Sequence, residues 1–173
     1  RRADLLRLLW RLNNQCVFIQ PYVGYEEIDD YKVDYNRHIE LITKTDEGQM
    51  SVGAKRQALL EFSTGDYVAF IDDDDDIAPD YIEKVLEAIK TSPDCCSLTG
   101  QIHFTNDVER IFKHSLDYNE WELKDDVYLR YPNHLNAVKR DLALEAGFDD
   151  MGRGEDKAYS DRLLPLLETE VKI

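Results

Sequence analysis

Residues 72–76 are five consecutive aspartates. Carboxylates this close raise one another's pKa unless a cation intervenes. Asp72 and Asp74 stand two apart, close enough to share a divalent ion and the phosphates it carries. Mg²⁺ or Mn²⁺ suits them, because hard cations take a few carboxylates and fill their shell with substrate phosphate oxygens. A solvated acidic turn is the other reading, and position weighs against it. Residues 67–71 are an apolar, β-prone run after Gly65, fit for a buried central strand. Pro79 follows at a first helical position, with Asp80 and Glu83 in the first turn. The aspartates therefore close a strand and precede a helix, where open α/β sheets bind ligands.

Two further groups could do chemistry. Lys55 and Arg56 fall in the first turn of a helix carrying Ala54, Ala58, Leu59 and Phe62 on one face, with Ser51 as its cap. Cations there oppose the helix dipole, so a phosphate or base partner is one reading and a pair of surface cations the other. Glu155 and Asp156 open the last helix after the glycine-containing stretch 148–154. They read either as first-turn capping or as a carboxylate pair projected into a cleft.

The elements that must position these groups alternate. Leu5, Leu8, Leu9 and Leu12 mark a helix over 3–14, and 16–23 is β-prone but carries Pro21. The tyrosine-rich stretch 24–37 is expected to be an excursion or lid, and 38–44 a strand with Asp46 just past its end. Ile82, Val85, Leu86 and Ile89 make a helical stripe ended by Pro93. Strands are expected over 95–104 and 108–114, with a turn at 105–107. Next come an acidic loop or lid over 117–126 with Trp121, a short strand over 127–131, and a helix over 138–146 closed by Gly147. The last helix buries Tyr159, Leu163 and Leu166 or Leu167, and a strand begins at 170. This order implies one α/β domain over 1–173, a mostly parallel sheet with helices on both faces in three layers.

Composition bounds the partners. A net charge of −15 over 173 residues argues against nucleic acid or an anionic membrane as the main partner. The chain has three cysteines, Cys16, Cys95 and Cys96; an odd count with two adjacent points to free thiols and a cytoplasmic, reducing compartment. No stretch approaches the roughly 20 apolar residues that span a membrane. The chain starts at Arg1 rather than Met and opens into a helical pattern, as expected of a piece of a longer protein.

The stretch GAKRQALLEFSTGDYVAFIDDDDDIAPDYI, residues 53–82, resembles the core of the family 2 glycosyltransferases of the GT-A fold. In that family a basic helix leads into a strand ending in an Asp-x-Asp motif. GRGEDKAYSDRL, residues 152–163, looks like the family's Glu-Asp element followed by Arg-Leu. PNHLNAVKRDLALEAGF resembles the passage leading to it. The motifs occur in the family's order, about 80 residues apart. The resemblance implies that Asp46 hydrogen-bonds the base of a nucleotide-sugar donor, commonly a UDP-sugar, and that Arg56 and Lys55 lie near the base or diphosphate. It implies that Asp72 approaches the ribose and the metal's water shell, that Asp74 binds Mn²⁺ or Mg²⁺ directly and that Asp73 assists. Asp156, with Glu155 beside it, would be the base for an acceptor hydroxyl on a saccharide or other molecule, in inverting transfer.

His134, after Pro132 and Asn133, is placed on the acceptor side, touching diphosphate, metal or acceptor; a backbone-bonded turn histidine is the alternative. His38, His103 and His114 show no ligand spacing. Departures are plain: the family's first strand is missing before the opening helix, Gln57 stands where Asn is frequent, and the chain stops before a further metal or diphosphate ligand. Two other functions remain open, a degenerate module that binds without catalysis and another metal-dependent nucleotidyl or phosphoryl enzyme.

Overall fold

The computed structural model describes residues 30–35, 39–44 and 48–173. In chain order they form β1 (Asp30–Tyr35), β2 (Ile39–Lys44), α1 (Val52–Phe62), β3 (Tyr67–Val68), α2 (Tyr81–Ala88), β4 (Cys95–His103) and β5 (Glu109–His114). After them come β6 (Glu122–Lys124), β7 (Val127–Arg130), β8 (Val138–Lys139), α3 (Arg140–Ala146), α4 (Glu155–Leu163) and β9 (Glu170–Lys172). The expected opening helix over 3–14, the stretch 16–23 and Cys16 lie outside the described residues.

Adjacent residues of a strand face opposite sides of its sheet, and Cys95 and Cys96 of β4 display both. Cys95 packs among Leu60 of α1, Ala143 and Ala146 of α3, and Tyr159 and Leu163 of α4. Cys96 packs against Ala88 of α2 with Val85, Ile89 and Val171 around it. Helices therefore cover both faces, as the α/β/α expectation required. Both thiols are free. Burial pushes the Cys96 thiol up to about 11 and the Cys95 thiol higher still, so both are unreactive.

The pairing within the sheet differs from the expected mostly parallel one. Among the described residues only β4–β9 and β5–β7 pair in parallel, and the other ladders are antiparallel. Two local features produce this. The 105–107 turn is tight enough to fold β5 straight back on β4. β8 runs antiparallel between β3 and β4, separating strands that a crossover alone would make neighbours. β4 is shared: Cys95 pairs with Val138 of β8 and Glu170 of β9, while residues 98–103 pair with β5. Asn136 fills the step from β8 to β5. Its Nδ2 donates to the Cys96 carbonyl (2.8 Å), and its Oδ1 accepts from the Asn133 N–H (2.9 Å) and meets His114 Nδ1 (3.1 Å). Burial holds the His114 ring neutral, at about 3.

Other expectations shift in detail. β3 is two half-buried residues rather than a buried five-residue strand, because the Phe70 N–H leaves the ladder for the His134 carbonyl (2.9 Å). The excursion over 24–37 contains β1, whose alternating Tyr31, Val33 and Tyr35 carried the period of a strand. The 117–126 loop contains β6, joined to β7 through Asp125 and Asp126, both at positive φ as a two-residue hairpin demands. The helix expected from Val138 starts at Arg140, since β8 takes the two residues before it. α2 starts at Tyr81, two residues beyond Pro79.

Gly53 shows how closely α1 approaches the loop before α4. A Cβ there would stand 1.9 Å from the Asp149 carbonyl oxygen, and the Gly53 N–H donates to the Met151 carbonyl. Backbone cannot yield as a side-chain tip does. Gly53→Ala is expected to destabilise the chain by about 1–3 kcal/mol, read as a lowered midpoint in urea unfolding; an unchanged midpoint would show that the two elements separate freely.

Candidate functional site

α1 turns its charge inward. The expected apolar face of Ala54, Ala58, Leu59 and Phe62 gives way to Gly53, Arg56 and Leu60, and Phe62 is 58% exposed. Arg56 is only 6% exposed. Its Nη1 donates to Glu155 Oε1 at 2.6 Å, and its Nη2 donates to both oxygens of Asp72, at 2.7 and 2.9 Å. The same Nη2 lies 3.1 Å from His134 Nε2, which is 3.6 Å from Asp72 Oδ2. A buried guanidinium needs such pairing, because an unpaired charge out of water is costly.

One cation thus joins the end of β3, the start of α4 and the loop before β8. Arg56, expected near the base or diphosphate, holds the protein's own carboxylates through its Nη1 and Nη2. Lys55 beside it is half-buried. Glu155, expected beside the catalytic base, is 7% exposed with its carboxylate on Arg56. His134 is buried, and its Nδ1 has no partner among the described residues.

The aspartate run divides. Burial pushes the Asp72 carboxyl up, but the His134 ring and the Arg56 guanidinium outweigh it and hold it well below the usual carboxylate range. The Asp75 N–H closes a turn on the Asp72 carbonyl (3.1 Å). Burial and the charge of Asp72 raise the Asp75 carboxyl, the mutual repulsion that such a run predicts. Asp73 and Asp74 are exposed and take no hydrogen bond or ion pair within the described residues. Asp156 is half-buried, and among the described residues its Oδ1 accepts only the N–H of Lys157. Asp46 lies outside the described residues.

The loop carrying Glu155 and Asp156 is pinned rather than slack, by Ser51, Gln57 and Arg162, to which the sequence reading gave no such part. Ser51 donates to Asp150 Oδ1 (2.6 Å), besides capping α1 through the Ala54 N–H. Gln57 Oε1 accepts the Phe148 N–H (2.8 Å). Arg162 holds the Ala146 and Gly147 carbonyls and Asp149. Below the loop, Phe148 stacks on Tyr159 (4.1 Å) and meets Phe70 edge-on (5.2 Å). The spacing of Gln57 and Arg162 from the acidic motifs was the available signal.

Among the described residues no group of three or more acidic, histidine or cysteine side chains forms a metal cage. Mg²⁺ and Mn²⁺ need none where substrate phosphates complete the shell, and exposed Asp74 and Asp73 fit that kind of ligation.

One arginine thus ties Asp72 of the aspartate run to Glu155 of the second acidic pair, on an α/β/α domain. The model of glycosyl transferase family 2 matches residues 4–142, and the chain belongs to that family. It is also similar to the glucosyl-dolichyl phosphate glucuronosyltransferase of Haloferax volcanii, 29% identical over 77 residues. That match covers 44% of this chain and 25% of the archaeal protein. No solved structure matches. Among the described residues no helix is long and apolar enough to cross a membrane.

The Asp72 interaction has a pH sign. Its folded-state value lies below its unfolded one, so its stabilisation is complete at neutral pH and is lost as the pH falls below about 4 toward the folded value. Arg56→Gln is expected to flatten that acid limb and to destabilise the fold by about 3–5 kcal/mol at neutral pH, since Glu155 is left buried and unpaired. Urea unfolding across acid and neutral pH reads both; an unchanged acid limb would show that the pair is not what holds Asp72 ionised.

Proposed function

We propose that the protein moves a sugar from a nucleotide-diphosphate sugar, a UDP-sugar in the first instance, to an acceptor hydroxyl with inversion. The carrying observation is the Arg56 cluster. It brings Asp72 within 2.9 Å and Glu155 within 2.6 Å of one guanidinium, so two motifs distant in sequence are built into one site.

Each residue has a part. Asp74, with Asp73, would hold Mn²⁺ or Mg²⁺, which stabilises the negative charge of a departing diphosphate when bound. Asp72 stays ionised and oriented for the ribose and the ion's water shell, because Arg56 fixes both its oxygens. Arg56 and Glu155 are positioning residues in this reading. The unmet Nδ1 of His134 supports a contact with a ligand oxygen. Lys55 and Asp46 complete the donor side.

Asp156 is the base that accepts the proton of the acceptor hydroxyl. It follows Glu155, so the Arg56–Glu155 bond orients the first turn of α4 while the Asp156 carboxylate has no cation on it among the described residues. A carboxylate without an ion pair remains available as a proton acceptor near neutral pH. The archaeal relative's name describes transfer of a glucuronosyl group to a glucosyl lipid phosphate. It is consistent with a sugar-nucleotide donor here.

Calorimetric titration of UDP tests the donor site. Binding is expected to need Mn²⁺ or Mg²⁺ and to vanish in Asp74→Asn. Asp156→Asn is expected to keep UDP binding and to lose on the order of a hundredfold to ten-thousandfold in transfer rate. Metal-independent binding would overturn the role of Asp74, and full transfer by Asp156→Asn would overturn that of the base.

A further inference from the structure

The sheet formed by the outer part of β4 with β5, β7 and β6 carries a line of cations and aromatic rings. Register puts Tyr128 opposite Phe112 and Arg130 opposite His114, so Arg110, Tyr128 and Arg130 share one face. The Arg110 guanidinium lies 5.8 Å from the Phe104 ring and 5.9 Å from the Tyr128 ring. Arg130 lies 5.5 Å from Tyr128 and 4.5 Å from Trp121. Lys157 Nζ lies 5.6 Å from Trp121 and 5.3 Å from Tyr131. The line runs from the hairpin tip to the first turn of α4, where Lys157 follows Asp156.

Two members of this line are already satisfied. Arg110 pairs with Asp126 at 3.3 Å, and Lys157 pairs with Asp161 and donates to the Tyr131 hydroxyl. Arg130 differs. It is half-buried, yet its guanidinium has no carboxylate or hydrogen-bond acceptor among the described residues, in a chain with fifteen more acidic than basic side chains. Trp121, whose ring it covers, has a buried Nε1–H with no acceptor among the described residues. A buried N–H left without an acceptor costs stability, and Arg130, though stacked on two rings, meets no counter-charge among the described residues. An oxyanion is the group that both lack, and the rings beside them offer apolar faces of the kind on which sugars stack.

We infer that this face binds the acceptor and that the Arg130–Trp121 pair takes the oxyanion, phosphate or carboxylate, of an anionic saccharide. The inference rests on the glycosyl-transfer reading only in calling the ligand an acceptor. Binding here involves neither Asp74 nor the nucleotide, so it is measured without them.

Calorimetry or ligand-observed NMR on the 173-residue chain, without metal or nucleotide, tests it with four probes: glucose 1-phosphate, glucuronate, methyl glucoside and inorganic phosphate. At least one charged sugar is expected to bind about tenfold or more tightly than methyl glucoside, in line with a charge-assisted hydrogen bond. Which one it is distinguishes phosphate from carboxylate. Arg130→Gln is expected to reduce the charged sugar to the level of the neutral one, Arg130→Lys to recover part of the loss, and Trp121→Phe to weaken binding while keeping the ring. Circular dichroism and UDP affinity should be unchanged in all three variants. Equal binding of methyl glucoside, undiminished binding by Arg130→Gln or no binding by any sugar would overturn the inference. So would inorganic phosphate binding as tightly as the sugars, which would mark an adventitious ion only. Loss of UDP binding with charged-sugar binding intact would count against the donor reading alone.

Discussion

A single buried guanidinium sets the terms for the rest of this structure. A guanidinium is a cation that needs counter-charges when buried, and that of Arg56 is almost wholly out of water. Its partners must therefore be present together: the carboxylate closing the strand segment, the carboxylate opening the last helix and the imidazole of the loop before β8. Gly53 lets α1 come close enough, while Gln57, Ser51 and Arg162 fix the loop that delivers Glu155. The aromatic trio Phe70, Phe148 and Tyr159 fills the space beneath it. A chain packed in any other way would strand a charge, which makes the cluster a determinant of geometry as much as of stability.

The cluster also divides labour between neighbouring residues. Asp72 and Glu155 are engaged by Arg56, and the residues next to them hold no ion pair among the described residues: Asp73 and Asp74 after the first, Asp156 after the second. Fixing one carboxylate orients the backbone that carries the next. In the proposed reaction this arrangement would keep Asp74 and Asp156 positioned without quenching their charge, as a pre-organised site requires.

Much of this was legible in the sequence. Strands and helices alternate where the apolar periods put them, Gly147 ends α3 at positive φ, and Glu155 opens α4. The family was read from two acidic motifs in order, and its model matches residues 4–142, which hold the first of them. The inward turn of Arg56 was not legible, because hydrophobic periodicity treats an arginine as a surface residue while three partners distant in sequence decide otherwise. Strand direction was missed for a related reason. Alternating elements suggest parallel crossovers, whereas β8 inserts between β3 and β4 from much later in the chain. The acidic stretch before β7 hid β6, since Asp125 and Asp126 read as loop and serve as its hairpin turn.

Asn136 bears on how such a chain can change length over evolutionary time. Its side chain fills the place where β4 passes from one partner strand to the next, using the Cys96 carbonyl, the Asn133 N–H and His114 together. An inserted or deleted residue on either side of that point would move His134 and its carbonyl bond to Phe70 out of step with the aspartates. The 104–108 tip lies beyond the β4–β5 pairing and is exposed, so insertions there leave the register intact. Length variation in this lineage should therefore gather at the hairpin tip and be absent from the joint, reshaping the outer face while the acidic centre keeps its spacing.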